Sequence, residues 1–146
     1  MKKYIHYGAK KFNRELCMPI HNLEMFTKPS GGFWASKTDA EFGWKEWCED
    51  NDYFDCDEEN SFIFELTENA KILEINSVEE LKKLPGRNRD IGFLGGFYTM
   101  LDFEKLAEQY DAIEVGISSD YRLYHALTGW DCDSILIMNP DIVNPV

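Results

Sequence analysis

Two short segments decide the fold of this chain: YIHYG over residues 4–8 and GGFWAS over residues 31–36. Both are predicted to be β-strands, and each carries a polar or aromatic side chain beside glycine. A glycine lets a ligand approach the backbone where a Cβ would block it. His6 and Trp34 thereby offer one polar anchor and one stacking surface, which is what a nucleotide-type site needs, although either strand could serve only the core.

The composition is that of one globular domain spanning residues 1–146. The chain is 44% hydrophobic and holds ten Phe, seven Tyr and four Trp, which is enough for a stable core without disulfides or bound metals. Its formal net charge of -12 argues against nucleic acid or an anionic membrane surface as the main partner, because both would repel it. A small anionic ligand held by local donors is compatible with this charge.

The cysteines and histidines do not have the spacing of metal ligands. Cys17, Cys48, Cys56 and Cys132 form no CxxC pair, and the three histidines are dispersed, so we predict no metal site. We expect four reduced thiols that act mainly as packing groups. No apolar run reaches transmembrane length, and we therefore expect a cytoplasmic protein without a membrane partner.

Hydrophobic alternation and turn residues predict short strands and helices in an irregular order. The predicted strands cover residues 3–7, 32–36, 62–66, 71–75, 111–117 and 134–138. Helices are predicted over residues 39–49 with Thr38 or Asp39 as cap, after Ser77, over 102–110 with Asp102 as cap, and after Asp120. The final strand is the most apolar and is expected at the centre. Because helices do not alternate strictly with strands, we predict an α+β fold with two small packed sheets, mixed or antiparallel, and short flanking helices.

Each candidate binding residue also has a purely structural interpretation. His6 could donate to ribose hydroxyls or be a hydrogen-bonded core histidine, and the local sequence favours the core role. Trp34 could stack on a nicotinamide or adenine ring or fill the core, with equal weight. Arg87 and Arg89 could hold a pyrophosphate, but a solvated role fits their polar loop better.

Three carboxylates are candidates for catalysis. Asp131 and Asp133 flank Cys132 just before the final apolar strand, and Glu114 lies in the middle of the strand before it. A carboxylate at a strand edge that faces His6 and Trp34 could stabilise a developing positive charge, as in glycosyl transfer. Asp131 and Asp133 could instead only terminate a helix-to-strand turn.

Together these segments resemble the ADP-ribosyltransferase family, in the diphtheria-toxin-type class with a His, an aromatic residue and an acid on three strands. His6-Tyr7-Gly8 resembles the first motif, and GFWAS over residues 32–36 resembles the second, with Trp34 where Tyr is usual. The ending WDCDSILIMNPDIV, residues 130–143, resembles the closing acid and apolar strand followed by a short edge strand. The order and spacing of these segments across most of the chain carry the resemblance.

The resemblance implies that NAD is the substrate and lies between two sheets. His6 would contact the adenosine-side ribose, Gly8 would leave room for the nicotinamide amide, and Trp34 would stack on the nicotinamide ring. The implied NAD-binding residues are His6, Tyr7, Gly8, Gly32, Trp34 and Ser36. The family's catalytic Glu is replaced by Asp133, or by Asp131 or Ser134, and Glu114 is an alternative. Asp is one methylene shorter than Glu, and a displacement near 1 Å can cost about 100-fold in rate.

We therefore expect an NAD-dependent ADP-ribosyltransferase-like protein that transfers ADP-ribose to an unidentified acceptor, which could be a protein. The alternative within the same fold is a non-catalytic binding or interaction module whose acidic surface meets a basic partner. A third hypothesis is a small-ligand domain of unrelated α+β fold, in which His6 and Trp34 belong to the core.

Overall fold

The computed structural model describes residues 2–23, 28–51, 56–86, 101–127 and 130–146. Eight strands lie in these ranges: β1 (Lys3–Tyr7), β2 (Met18–His21), β3 (Ser30–Lys37), β4 (Ser61–Leu66), β5 (Ile72–Ile75), β6 (Ala112–Val115), β7 (Ser134–Ile137) and β8 (Val143–Pro145). Four α-helices accompany them: α1 (Trp44–Asp50), α2 (Val78–Lys82), α3 (Phe103–Gln109) and α4 (Arg122–Ala126). Arg87 and Arg89 lie outside the described residues.

β3 joins the two halves of one continuous sheet. The strand order is β5-β6-β7-β3-β1-β4-β8, and β2 pairs separately with the start of β3. The middle of β3, residues 33–35, pairs with β7, and the end of β3, residues 36–37, pairs with β1. The predicted mixture of helices with a mixed sheet is confirmed, whereas hydrogen bonds link all eight described strands instead of separating them into two sheets.

The sheet bends strongly along this path. In a flat sheet β1 and β5 would lie four strand spacings apart, roughly 19 Å at about 4.8 Å per spacing. Lys2, just before β1, nevertheless places Nζ 3.5 Å from Oε1 of Glu74 on β5. Lys37 at the end of β3 likewise reaches Glu114 on β6, with 3.7 Å between Nζ and Oε1. The β1–β4–β8 half therefore curves back toward β5 and β6.

Residues of β6 and β7 point alternately into two cores. Ile113 and Leu136 belong to a buried cluster formed with α2, α3 and α4. Ile135 and Ile137 belong to a second cluster formed with β1 and β4. Every residue of β7 is buried, so its side chains have no solvent-facing side and an uninterrupted apolar run is what the strand requires. The prediction of an interior strand here is confirmed.

Two helices begin where their capping residues predict. The Ser77 hydroxyl accepts a hydrogen bond from the Glu80 N–H at the start of α2. The Asp102 carboxylate accepts one from the Lys105 N–H at the start of α3. Each side chain satisfies an amide that the helix itself leaves without a partner.

The first helix begins later than predicted, at Trp44, and neither Thr38 nor Asp39 caps it. The cause is a tertiary contact that the local sequence does not reveal. Phe42 exchanges hydrogen bonds with Asp133, whose N–H donates to the Phe42 carbonyl over 2.7 Å. Residues 38–43 are consequently held against the start of β7, and the helix forms only after them.

Cys48 and Cys56 form a disulfide, so the expectation of four reduced thiols is wrong for this pair. Their Cα atoms lie 6.2 Å apart, so Cys56 lies beside α1. Cys17 and Cys132 are free and buried. Disulfides persist mainly in oxidising compartments, so the cytoplasmic location stays a prediction.

Replacing Cys48 and Cys56 together with Ser is expected to lower the free energy of unfolding by roughly 2–4 kcal/mol, because the unfolded chain loses a covalent constraint. Urea denaturation with and without dithiothreitol measures the effect. The wild type should lose stability in dithiothreitol, and the double variant should not respond. Alkylation of the unreduced, unfolded chain should modify two thiols, and modification of four would contradict the disulfide.

Candidate functional site

Four of the residues predicted to bind the ligand surround one cavity of about 410 Å³. They are His6, Tyr7, Gly32 and Trp34. We call this space the aromatic cavity, because rings make up most of its wall. Its other lining residues are Lys28, Phe33, Trp44, Trp47, Cys48 and Cys56.

Two of the predicted carboxylates, Glu114 and Asp133, surround a different cavity of about 460 Å³. We call it the polar cavity, since lysines, carboxylates and hydroxyls dominate its wall. Its other lining residues are Lys2, Lys37, Asp39, Ala40, Glu41, Glu74, Asn76, Val115, Gly116, Ser118, Ser119 and Ser134. The structure therefore brings His6 and Trp34 together but places these two acids elsewhere.

His6 is fixed to the neighbouring motif by a short hydrogen bond. Its Nδ1 lies 2.6 Å from the backbone oxygen of Trp34. A carbonyl oxygen can only accept, so the proton of the neutral ring is on Nδ1 and Nε2 is left as an acceptor. A Cβ on Gly8 would lie 3.7 Å from this Nε2. The neutral ring therefore has no N–H left for the donation to a ribose hydroxyl that the sequence suggested, and offers only an acceptor at Nε2.

The surroundings of His6 favour the neutral form of its ring. Phe33 and Phe62 both contact the imidazole, each with 5.2 Å between ring centroids. Burial against these rings lowers the pKa of His6 from its ordinary value, and the Trp34 carbonyl opposes this only in part. His6 therefore has features of a core histidine and of an anchor, and the two interpretations are compatible.

The indole of Trp34 forms one wall of the aromatic cavity. It packs against Trp130 in a T-shaped arrangement with 4.6 Å between ring centroids, which fixes its orientation. On the cavity side, the Lys28 ammonium lies 5.0 Å from the Trp34 centroid and 5.4 Å from the Trp44 centroid. Trp34 is half-buried, so part of its surface is available to a ligand.

The two glycines of the motifs are required by the backbone. Gly32 has φ +63°, and a Cβ there would approach the Ile137 carbonyl oxygen to 2.6 Å. Gly8 has φ +116°, also in the left-handed region. Backbone packing therefore suffices to explain why residue 32 is a glycine, without the close approach of a ligand that the sequence suggested.

Ser36 does not line the aromatic cavity described here. Its hydroxyl donates to the Asp133 backbone oxygen over 2.9 Å and accepts from the Trp44 N–H over 3.0 Å. The side chain is buried and has both hydrogen-bonding functions occupied. Ser36 therefore positions the start of α1, which carries Trp44 and Trp47 into the cavity wall.

The Asp133 carboxylate ties three segments together. Oδ1 accepts from the Ser118 N–H over 2.8 Å, and Oδ2 accepts from the Ser118 hydroxyl over 2.7 Å and from the Phe42 N–H over 3.2 Å. Both oxygens are thus engaged by the protein itself. This arrangement supports the alternative that the sequence left open, in which Asp133 stabilises a turn.

Glu114 is buried on β6 and faces Lys37. Burial raises the pKa of its carboxyl, and the nearby Lys37 ammonium partly offsets that effect. Its position in the polar cavity separates it from the rings that would hold a ligand. Among the described contacts, then, Glu114 belongs to the ion pairs that close the bent sheet.

Asp131 is the predicted acid whose charge acts on the aromatic cavity. Burial lowers the pKa of Lys28, and the negative charge of Asp131 opposes this shift. The sequence patterns do not identify Lys28, Trp44 or Trp47 as site residues. Lys28 stands just before Pro29 and the glycine pair, and the spacing of the two Trp is that of any helix with a buried face.

Comparison with protein-family models, curated proteins and solved structures finds no significant match. Within the described ranges, no helix has both the length and the apolar character needed to cross a membrane. In the same part of the chain, no three or more His, Cys, Asp or Glu side chains converge as metal ligands would. Function must therefore be argued from the site itself.

Replacing Asp133 with Asn is expected to destabilise the protein by roughly 1.5–3 kcal/mol, because an amide nitrogen cannot accept the bonds made to one carboxylate oxygen. Urea denaturation measures this loss. Asp131→Asn is the matched control, with the same change of charge two residues away. Equal stability of Asp133→Asn and wild type would contradict the structural role.

The free energy of unfolding is expected to fall as the pH drops below about 6.5, the ordinary pKa of His6. The folded-state pKa is lowered, so the unfolded chain takes up the proton first and stability is lost through that window. His6→Gln should reduce this component of a stability–pH profile. The exposed His125→Gln is the control, and equal changes in both variants would show that burial of His6 is not the cause.

Proposed function

We propose that this protein is an ADP-ribosyltransferase-like enzyme that binds NAD in the aromatic cavity and transfers ADP-ribose to an acceptor. The observation that carries the proposal is that His6 and Trp34 line one cavity. The bent sheet, whose two halves curve toward each other, is compatible with the two packed sheets that the resemblance implies.

The cavity has the chemical features that a nucleotide requires. Its volume of about 410 Å³ falls within the usual range for small-molecule sites, about 300–1,000 Å³. The indoles of Trp34 and Trp44 provide apolar faces for a planar ring. His6 provides a neutral acceptor for a ribose hydroxyl, and Tyr7 borders it. In a cavity of this kind, burial of apolar ligand surface against the rings supplies affinity, and the few polar groups orient the ligand.

Asp131 is the carboxylate we assign to catalysis. Asp133 is engaged with Ser118 and Phe42, and Glu114 faces Lys37 in the polar cavity. Asp131 is half-buried and acts electrostatically on Lys28, a residue of the aromatic cavity wall. In the resemblance, Asp131 is an alternative to Asp133 for the position of the family's acid.

The reaction would break the bond between the nicotinamide nitrogen and the ribose C1′. Nicotinamide leaves with the bonding electron pair, and positive charge develops on the ribose carbon and ring oxygen. A fixed carboxylate lowers this barrier because it interacts more strongly with the developing cation than with the ground state. The acceptor then forms a bond to C1′ and loses its proton.

NAD titration followed by Trp fluorescence tests the binding step. Wild type should show saturable quenching, whereas Trp34→Leu should bind about 5- to 150-fold more weakly, because a stacked ring contributes on the order of 1–3 kcal/mol. Phe103→Leu, a core substitution on α3, controls for general destabilisation. Absence of NAD binding by folded wild type would contradict the proposal.

Release of nicotinamide from NAD tests the chemical step. Asp131→Asn is expected to lower turnover by about 100-fold or more with little change in NAD affinity, because the carboxylate acts mainly in the transition state. Glu114→Gln, the matched removal of a carboxylate in the polar cavity, should retain turnover. If Glu114→Gln abolishes release and Asp131→Asn does not, the assignment of the carboxylate is wrong.

The second candidate is a non-catalytic binding module of the same fold. It is favoured by the location of Glu114 and Asp133 outside the aromatic cavity, and by the net charge of -12, which suits a basic partner. Saturable NAD binding without nicotinamide release, even in the presence of basic protein acceptors, would favour this function over the enzyme.

A further inference from the structure

The Lys28 ammonium occupies the space that a stacked ligand ring would need. It lies 5.0 Å from the Trp34 centroid and 5.4 Å from the Trp44 centroid, and so covers faces of the two indoles. A cation on an indole face is attracted by the ring's negative face. A planar ligand ring can stack there only if the ammonium moves aside.

Displacement from the two rings leaves a half-buried charge that needs a new partner. Asp131 is close enough to influence Lys28 electrostatically. The proposed reaction, however, directs the Asp131 carboxylate toward the positive charge that develops on the ribose. The pyridinium ring of NAD is itself a cation and would repel the ammonium. An anionic group of the ligand is therefore the partner that makes the displacement favourable.

We infer that Lys28 recognises the phosphate of the bound nucleotide and makes the aromatic cavity selective for phosphorylated ligands; this inference rests on the proposed function. The flexible Lys28 side chain leaves the indole faces when the ring stacks and forms a charge-assisted hydrogen bond with the phosphate. A ligand with the same ring and ribose but no phosphate displaces the ammonium from the indoles and gives it no anionic partner in return. Lys28 thus acts as a specificity-determining residue.

Two probes that differ by one phosphate test this directly: nicotinamide mononucleotide and nicotinamide riboside. Wild type should bind the mononucleotide about 10- to 100-fold more tightly, the usual worth of a hydrogen bond to a charged group. Lys28→Met should bring this ratio close to one, by weakening the mononucleotide and not the riboside. Lys28→Arg should restore most of the preference.

Lys45→Met is the matched control. Lys45 lies on α1 beside Trp44, but its side chain is exposed and pairs with Glu58 over 3.2 Å. The variant loses the same charge near the same cavity and should keep the wild-type ratio. A second measurement needs no variant: added salt should weaken binding of the mononucleotide to wild type more than binding of the riboside.

The outcomes separate this inference from the proposed function. If both probes bind and Lys28→Met keeps the wild-type ratio, Lys28 does not recognise phosphate and only the inference fails. If Lys45→Met changes the ratio as much as Lys28→Met, the effect is general electrostatics and the inference also fails. If neither probe nor NAD binds wild type, the proposed function and the inference fail together.

Discussion

β3 is the constraint on which both the fold and the candidate site depend. Its middle pairs with β7 and its end pairs with β1, so β3 is the strand that joins the two halves of the sheet. Phe33 and Ala35 lie in the core formed with β1 and β4, and Trp34 packs against the core formed with the helices; Phe33 and Trp34 both line the aromatic cavity. The carbonyl of Trp34 then holds His6. One strand thereby positions the Trp34 ring and the carbonyl that holds His6.

The sequence predicted the parts of the fold that depend on local patterns. Hydrophobic patterns located β1, β3, β4, β5, β6 and β7, and the capping residues Ser77 and Asp102 located the starts of α2 and α3. β2 was missed because its four residues are exposed or half-buried and show no alternation. The start of α1 was misplaced because Asp133, about 90 residues away in sequence, holds the preceding turn.

The sequence predicted residues of the candidate site only where a His or an aromatic residue stands close to a glycine in a predicted strand. His6 beside Gly8 and Trp34 beside Gly32 stood out, and the structure places His6 and Trp34 at one cavity. No comparable signal marked Lys28, Trp44 or Trp47. The spacing of the two Trp is equally that of a core helix, and a single lysine in a polar segment is usually solvated. Among the acids, the resemblance put Asp133 first. Only tertiary contacts show that the Asp133 carboxylate is engaged by Ser118 and Phe42.

The three segments held by the Asp133 carboxylate include the turn that leads into α1, and α1 supplies two rings of the aromatic cavity. A substitution at position 133 would therefore disturb ligand binding indirectly, by shifting α1, without any contact between Asp133 and the ligand. In a family of related chains, an invariant aspartate at this position would record a requirement of folding. The position could be the best preserved of the acids and still take no part in the chemistry.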